Sequence, residues 1–80
     1  MIGKQRTLLM TKQGEYVYIN AINEQGDLKR RLLELGLIKG TKIQVLRIAP
    51  FQNEMTICFR GYELCLPKSI LKNIIVGNKK

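Results

Sequence analysis

Turn-forming residues divide the chain into short segments, and their spacing constrains the fold more than any other feature of the sequence. Gly14, Gly40 and Gly61 each follow a polar residue, and Pro50 closes a further apolar segment. Polar–glycine pairs favour tight turns, while proline cannot donate to a sheet ladder. The segments between these residues are rich in alternating β-branched and apolar residues, which is typical of strands. The sequence therefore predicts a mainly β chain.

Five short strands are predicted, over residues 15–22, 41–49, 55–59, 62–66 and 74–76. Alternation in the first strand places Val17, Ile19 and Ala21 on one face. The apolar phase of the second strand shifts after Val45, which predicts a bulge or a sharp bend there. A single helical turn is predicted over residues 67–71, directly before the last strand. Five short strands in 80 residues fit a small closed barrel better than an open sheet with long edges.

One short helix is predicted between the first and second strands. Leucines recur at helical spacing from Leu28 to Leu35, and Asp27 precedes them in position for an N-cap. Gly36 follows, and glycine ends helices because it adopts the left-handed conformation that other residues resist. In such an ending Leu37 would fold back onto the last helical turn.

The charge of the chain is strongly positive and unevenly placed. Its net charge is +8, and residues 28–47 hold six basic side chains against Glu34 alone. Such a surface attracts acidic proteins, anionic headgroups or nucleic acid at long range. The apolar runs are too short to span a membrane or to form a signal peptide, and two cysteines fit a reducing compartment. We therefore expect a cytoplasmic protein, with a flexible lead-in over residues 1–7.

The sequence lacks the residue patterns on which catalysis most often depends. There is no histidine, Gly-rich phosphate loop, nucleophile elbow or spaced carboxylate pair, so we expect no enzymatic activity and no cofactor. Cys58 and Cys65 are the nearest approach to a metal site, since both are predicted on one hairpin face, directly or diagonally across from each other. A structural zinc site needs four ligands, and no histidine or third cysteine can complete one. Space-filling roles are therefore favoured for both cysteines.

Two segments resemble the ferrous iron transport protein A family, the FeoA-like domain. The first runs from Leu28 to Pro50 and includes Arg-Arg-Leu-Leu-Glu-Leu-Gly-Leu-Ile-Lys-Gly at residues 30–40; the second is the hairpin from Ile57 to Leu66. The likeness extends over about residues 7–77 of a single domain spanning residues 1–80. It implies an SH3-like five-stranded barrel. Cys65 departs from the family pattern, which usually has alanine there.

The resemblance also implies a function. A protein of this family would be a cytosolic accessory protein of bacterial ferrous iron uptake, and would bind and modulate the cytosolic face of a GTP-binding iron permease. It would then be peripheral to the inner face of the plasma membrane through that partner, without inserting into the membrane. The candidate contact residues are Leu28, Arg30, Arg31, Leu35, Leu37, Arg47 and Phe51. Phe51 has a second interpretation, in which it covers one end of the barrel, and dimerisation is left open.

Two other hypotheses remain at this point. A small basic barrel that binds RNA or single-stranded DNA would use stacking platforms, and Tyr16 and Tyr18 share a strand face. The chain has only five aromatic residues, however, and no motif typical of RNA-recognition domains. A metal-sensing module would use Cys58 and Cys65. The domain also resembles the C-terminal module of iron-dependent repressors, but we expect no DNA-binding helix-turn-helix before it.

Overall fold

One antiparallel sheet carries the fold in the computed structural model, which describes residues 5–78. The strands are β1 (Tyr16–Ile22), β2 (Lys42–Ala49), β3 (Glu54–Phe59), β4 (Tyr62–Pro67) and β5 (Ile74–Gly77). The helices are α1 (Gly26–Leu35) and α2 (Lys68–Leu71), and short 3-10 helices cover Leu8–Met10 and Pro50–Gln52. The fold is mainly β with a small SH3-like barrel architecture, and α1 and α2 lie where the sequence predicted helical structure.

The sheet curves into a barrel-like shape but does not close. Its strand order is β4-β3-β2-β1-β5, so that β4 and β5 form the two edges and are not hydrogen-bonded to each other within residues 5–78. The expectation of a fully closed barrel is therefore wrong. The edge of β5 is partly covered, because Thr7 bridges Ile75 and the Val76 amide donates to the Arg6 carbonyl over 2.9 Å. Residues 6 and 7 are thus part of the fold, while residues 1–4 of the expected lead-in lie outside the described residues.

Two bulges bend the sheet around its core. The β2 register shifts between Val45 and Arg47, which confirms the bend predicted from the sequence. A second shift lies in β1 between Ile19 and Ala21. An extra residue reverses the alternation of faces, so Ala21 is exposed and Ile22 is buried instead. The expectation that Ala21 shares the inner face was wrong for this reason.

The core is a single apolar cluster between the curved sheet, α1 and α2. Each strand contributes its inner face, and the helices add a few side chains. The fully buried members include Leu8, Val17, Ile19, Leu37, Ile43, Val45, Ile57, Leu71 and Ile74. Thr41 is buried as well, and its hydroxyl donates to the Gly36 carbonyl over 2.9 Å. This bond ties the end of α1 to the start of β2.

The start of α1 differs from the prediction. The helix begins at Gly26, one residue before Asp27, and Gln25 precedes it in extended conformation without a side-chain cap. Asp27 is therefore not the N-cap. It lies in the first turn, 3.1 Å from the Arg30 guanidinium, where a carboxylate still interacts favourably with the helix dipole.

The end of α1 has the predicted geometry. Gly36 adopts a left-handed conformation with φ of 110° and ψ of 7°. Its amide donates to the Leu33 carbonyl over 3.0 Å, and the Leu37 amide donates to the Leu32 carbonyl over 3.1 Å. These two bonds form the Schellman motif, which turns Leu37 inward beside Leu32 in the core cluster.

The β3–β4 hairpin also confirms the prediction. Phe59 pairs with Tyr62 across a two-residue turn in which Arg60 and Gly61 have φ of 52° and 81°. Two consecutive positive φ angles are typical of a type I′ turn, whose twist matches that of the flanking strands.

Glu15 anchors the segment before β1. Its carboxylate accepts hydrogen bonds from the Lys12 amide over 2.9 Å and from the Arg6 guanidinium over 2.7 Å. The Lys12 backbone bond, followed by the Arg6 side chain, holds the pKa of Glu15 below its usual value. A carboxyl group with a lowered pKa stabilises the fold in its charged form.

We expect Glu15→Gln to lower the free energy of unfolding by about 1 kcal/mol near neutral pH, because a charge-assisted bond is lost. The stabilisation that the Glu15 carboxylate gives the fold is fully present above the ordinary carboxyl pKa of 4.5. It is lost as the pH falls through the lower folded-state pKa, so the wild type and the variant should converge in acid. Urea denaturation across that pH range measures this difference. The matched control Glu63→Gln, at an exposed position of β4, should leave stability unchanged, and an equal loss there would contradict the prediction.

Candidate partner-binding surface

The outward side of α1 combines apolar and basic side chains. Arg30 and Arg31 are exposed, Leu35 is 40% exposed, and Leu28 is half-buried against the core. We call these four residues the α1 surface. Arg30 pairs with Asp27, but both side chains are largely exposed, and such surface pairs contribute little. Both guanidinium groups therefore remain accessible to a partner.

Two further apolar residues, one in α1 and one shortly after it, are partly exposed and were not among the seven predicted contacts. Leu33 is 39% exposed and Ile38 is 42% exposed. The sequence held a signal for Leu33, because Leu32 and Leu33 are consecutive and consecutive helical residues face different directions. Since Leu32 is buried, Leu33 is turned outward.

Leu37 does not belong to a contact surface. Its side chain is completely buried, because the Schellman ending of α1 directs it into the core. The prediction of Leu37 as a partner contact was wrong for this reason.

Phe51 lies at the other end of the sheet from α1. The helix leads into the start of β2, whereas Phe51 follows its last residue, and the eight residues of β2 span roughly 20 Å at the usual strand rise. Phe51 is fully exposed, so it does not cover an end of the barrel. Arg47 lies between α1 and Phe51, on the exposed face of β2 and opposite Thr56. The seven predicted contacts therefore do not form one surface.

The two cysteines lie on the outer face of the hairpin but do not face each other. Cys58 opposes Glu63 and Cys65 opposes Thr56, so the cysteines are diagonal neighbours. The Cys65 thiol donates to Glu54 Oε1 over 3.3 Å. In the strand register, Glu54 and Cys58 lie on opposite sides of Thr56, so this bond directs the thiol away from Cys58. Within residues 5–78, no group of three or more His, Cys, Asp or Glu side chains is arranged to hold a metal ion.

The exposed face of β1 carries the tyrosines considered for nucleic-acid stacking. Tyr16 is 53% exposed and Tyr18 is half-buried. The Lys42 ammonium group lies 4.7 Å from the centroid of the Tyr16 ring, a cation–π contact that already occupies one face of that ring.

Neither described helix has the length and apolar character required to cross a bilayer.

Comparisons with known proteins agree with this geometry. A family model of the FeoA domain matches residues 6–78. The FeoA protein from Chlorobium tepidum has a similar solution structure, with a TM-score of 0.85 and 27% identity over 91% of this chain and 70% of that one. A FeoA-like protein from Clostridium acetobutylicum has a TM-score of 0.80 and 27% identity over 96% of this chain and 90% of that one.

The same fold occurs inside a larger protein. The metal-dependent transcriptional regulator MtsR matches with a TM-score of 0.77 and 27% identity, over 88% of this chain but only 34% of that chain. No curated protein sequence matches the chain. The resemblance inferred from the two sequence segments is confirmed by the family model and by the structures: the chain belongs to the FeoA domain family, which is associated with ferrous iron uptake.

Proposed function

We propose that this chain is a non-enzymatic accessory protein of ferrous iron uptake. It consists of a single FeoA-like domain, acts in the cytoplasm, and binds the cytosolic part of a GTP-binding iron permease, whose transport or nucleotide cycle it modulates. Membership of the FeoA domain family is the observation that carries this proposal. A solved relative described as iron(II) transport protein A, from Clostridium thermocellum, has the same fold.

The α1 surface is the part of the molecule best suited to this contact. Arginine is enriched at the energetic centres of protein interfaces. On α1, Arg31 lies four residues before the partly exposed Leu35, a spacing that makes helical side chains neighbours, and the exposed Arg30 lies on the same helix. The segment 28–47 carries six basic residues against one acidic residue, which speeds association with an acidic partner surface. The partner surface we expect is acidic, with an apolar recess for leucine.

The double substitution Arg30→Glu with Arg31→Glu tests this assignment. We expect the affinity for the isolated cytosolic domain of the permease to fall at least tenfold, or about 1.4 kcal/mol, because two attractive contacts become repulsive. Both positions are exposed, so the fold should be retained, as circular dichroism and thermal melting would show. Pull-down and isothermal titration measure the binding.

A matched control is available outside the α1 surface. Lys68→Glu with Lys72→Glu makes the same change in net charge at two exposed positions in and beside α2. This variant should bind as the wild type does. Retained binding by the folded arginine variant would contradict the assignment of the contact to the α1 surface. Loss of binding in the lysine variant alone would show that the partner contacts the region of α2 instead.

The two alternative functions have less support. The Cys65 thiol is directed towards Glu54, away from Cys58, which argues against a dithiol metal sensor. The Tyr16 ring is engaged by Lys42, so only one of its faces is free for a base. Titration of an oligonucleotide at low salt separates nucleic-acid binding from the proposed function, because such binding is steeply salt-dependent.

A further inference from the structure

Phe51 is an unusual residue for the surface of a small domain. It lies on the 3-10 helix Pro50–Gln52, and its side chain is fully exposed. The loop is held in place by the ring of Pro50 and by Asn53, which is left-handed with φ of 54° and donates its amide to the Pro50 carbonyl over 3.3 Å. The phenyl ring of Phe51 is thus presented to solvent by a constrained loop.

A pocket with mostly apolar walls and a polar rim lies directly beside this loop. Its volume is about 210 Å³. Its apolar walls are Leu9, Ile48, Ala49, Pro50, Met55 and Leu71. An apolar cavity of about 150 Å³ is sufficient to bind benzene, so the pocket is large enough for a phenyl ring.

The ring and the pocket are neighbours, but the ring does not enter its own pocket. Pro50 and Asn53, on either side of the loop, both line the pocket, while Phe51 between them is fully exposed. A chain that carries an exposed ring and an adjacent pocket large enough for a ring, with mostly apolar walls, offers complementary features to a second copy of itself.

We propose that two copies of this chain associate about a two-fold axis, each placing its Phe51 ring in the apolar pocket of the other. A two-fold axis between ring and pocket makes both contacts at once, which is how isologous interfaces form. This self-association goes beyond the proposed function and leaves the α1 surface free.

The charges around the pocket are compatible with this arrangement. Glu54 and Lys68 both line its rim, so the rim carries both signs and a second copy can place unlike charges opposite each other. Five of the six basic residues in segment 28–47 lie on α1, in the turn that follows it or at the first residue of β2, at the far end of β2 from Phe51, whereas Arg47 directly precedes the pocket residue Ile48. Repulsion between the two helices is therefore weakened by distance and by salt.

The interface is small, which sets the expected affinity. Two phenyl rings and their pocket rims bury less than the 1,200–2,000 Å² typical of stable complexes. We expect a dissociation constant on the order of 10–100 µM. The dimer is thus concentration-dependent, and dilute protein is monomeric.

Sedimentation equilibrium over a range of protein concentrations tests the association. The apparent mass should rise from 9.2 kDa towards twice that value and stop there, whereas Phe51→Ser should remain monomeric throughout. Because Phe51 is fully exposed, this substitution should leave the thermal unfolding midpoint unchanged. A monomeric wild type, a variant that still dimerises, or a mass that rises beyond the dimer would each overturn the proposal.

A mixing experiment tests the ring-in-pocket contact itself. Isotope-labelled Phe51→Ser protein retains an open pocket but has no ring to donate. Adding unlabelled wild-type protein should shift the methyl resonances of Met55 and Leu71, which line the pocket, in proportion to its concentration. Adding unlabelled Phe51→Ser protein should shift neither. Equal shifts in the two titrations, or none in either, would overturn the exchange of rings.

Discussion

Replacing Leu37 by alanine should lower the free energy of unfolding by about 3 kcal/mol. Leu37 is completely buried, and truncating a buried leucine removes its transfer free energy and leaves a cavity. The domain has 80 residues, and at the usual stability per residue the loss is a large fraction of about 4–12 kcal/mol in total. Urea denaturation followed by circular dichroism measures the change.

The matched control is Leu35→Ala on the same helix. Leu35 is 40% exposed, so its truncation should cost less than about 1 kcal/mol. In the proposed function the pair should behave in opposite ways: Leu35→Ala weakens permease binding with little loss of stability, whereas Leu37→Ala loses stability. Equal losses of stability in the two variants would contradict the burial of Leu37 by the helix ending.

Replacing Gly36 by alanine should lower the free energy of unfolding by about 2 kcal/mol. The reason is the backbone, because φ of 110° lies outside the regions that residues with a Cβ atom adopt readily. Space is not limiting: a Cβ atom would lie 3.4 Å from Arg60 Cδ and 3.7 Å from Phe59 Cε2, which is ordinary contact. Thermal and urea denaturation of the variant measure the loss.

Gly36→Asn distinguishes backbone strain from crowding. Asparagine is larger than alanine but adopts positive φ more readily, so it should cost less than alanine if strain dominates. A larger loss with asparagine would show that contact with Arg60 controls this position. In both variants the damage should extend to Leu37, because the bond from its amide to the Leu32 carbonyl depends on the left-handed turn.

Several elements could be predicted from the sequence because their causes are local. The end of α1 depends on Gly36 and on hydrogen bonds between residues at most five positions apart. The β3–β4 turn could be predicted from Gly61, because glycine accepts positive φ readily. The β2 bulge was visible as a change of apolar phase after Val45.

Other expectations failed where the outcome depended on a neighbouring strand. The β1 bulge arises in the pairing of β1 with β5, and Val17, Ile19 and Ala21 alternate without any sign of it. The start of α1 lies two residues earlier than predicted, at Gly26 instead of Leu28. Helix boundaries of this kind are the least certain part of any sequence pattern.

The candidate partner-binding surface was likewise predictable from the sequence only in part. The sequence alone was sufficient for the family, the amphipathic helix and the basic segment, because residue type, spacing and charge are properties of neighbouring residues. The helix ending predicted that Leu37 folds back onto α1, but the tertiary structure was needed to show that Leu37 is completely buried and so cannot be a partner contact. The tertiary structure also showed that Phe51 lies a strand length away from α1, beside a pocket of its own. Distances between segments are decided by strand order, register and bulges, which arise from contacts between residues far apart in the chain.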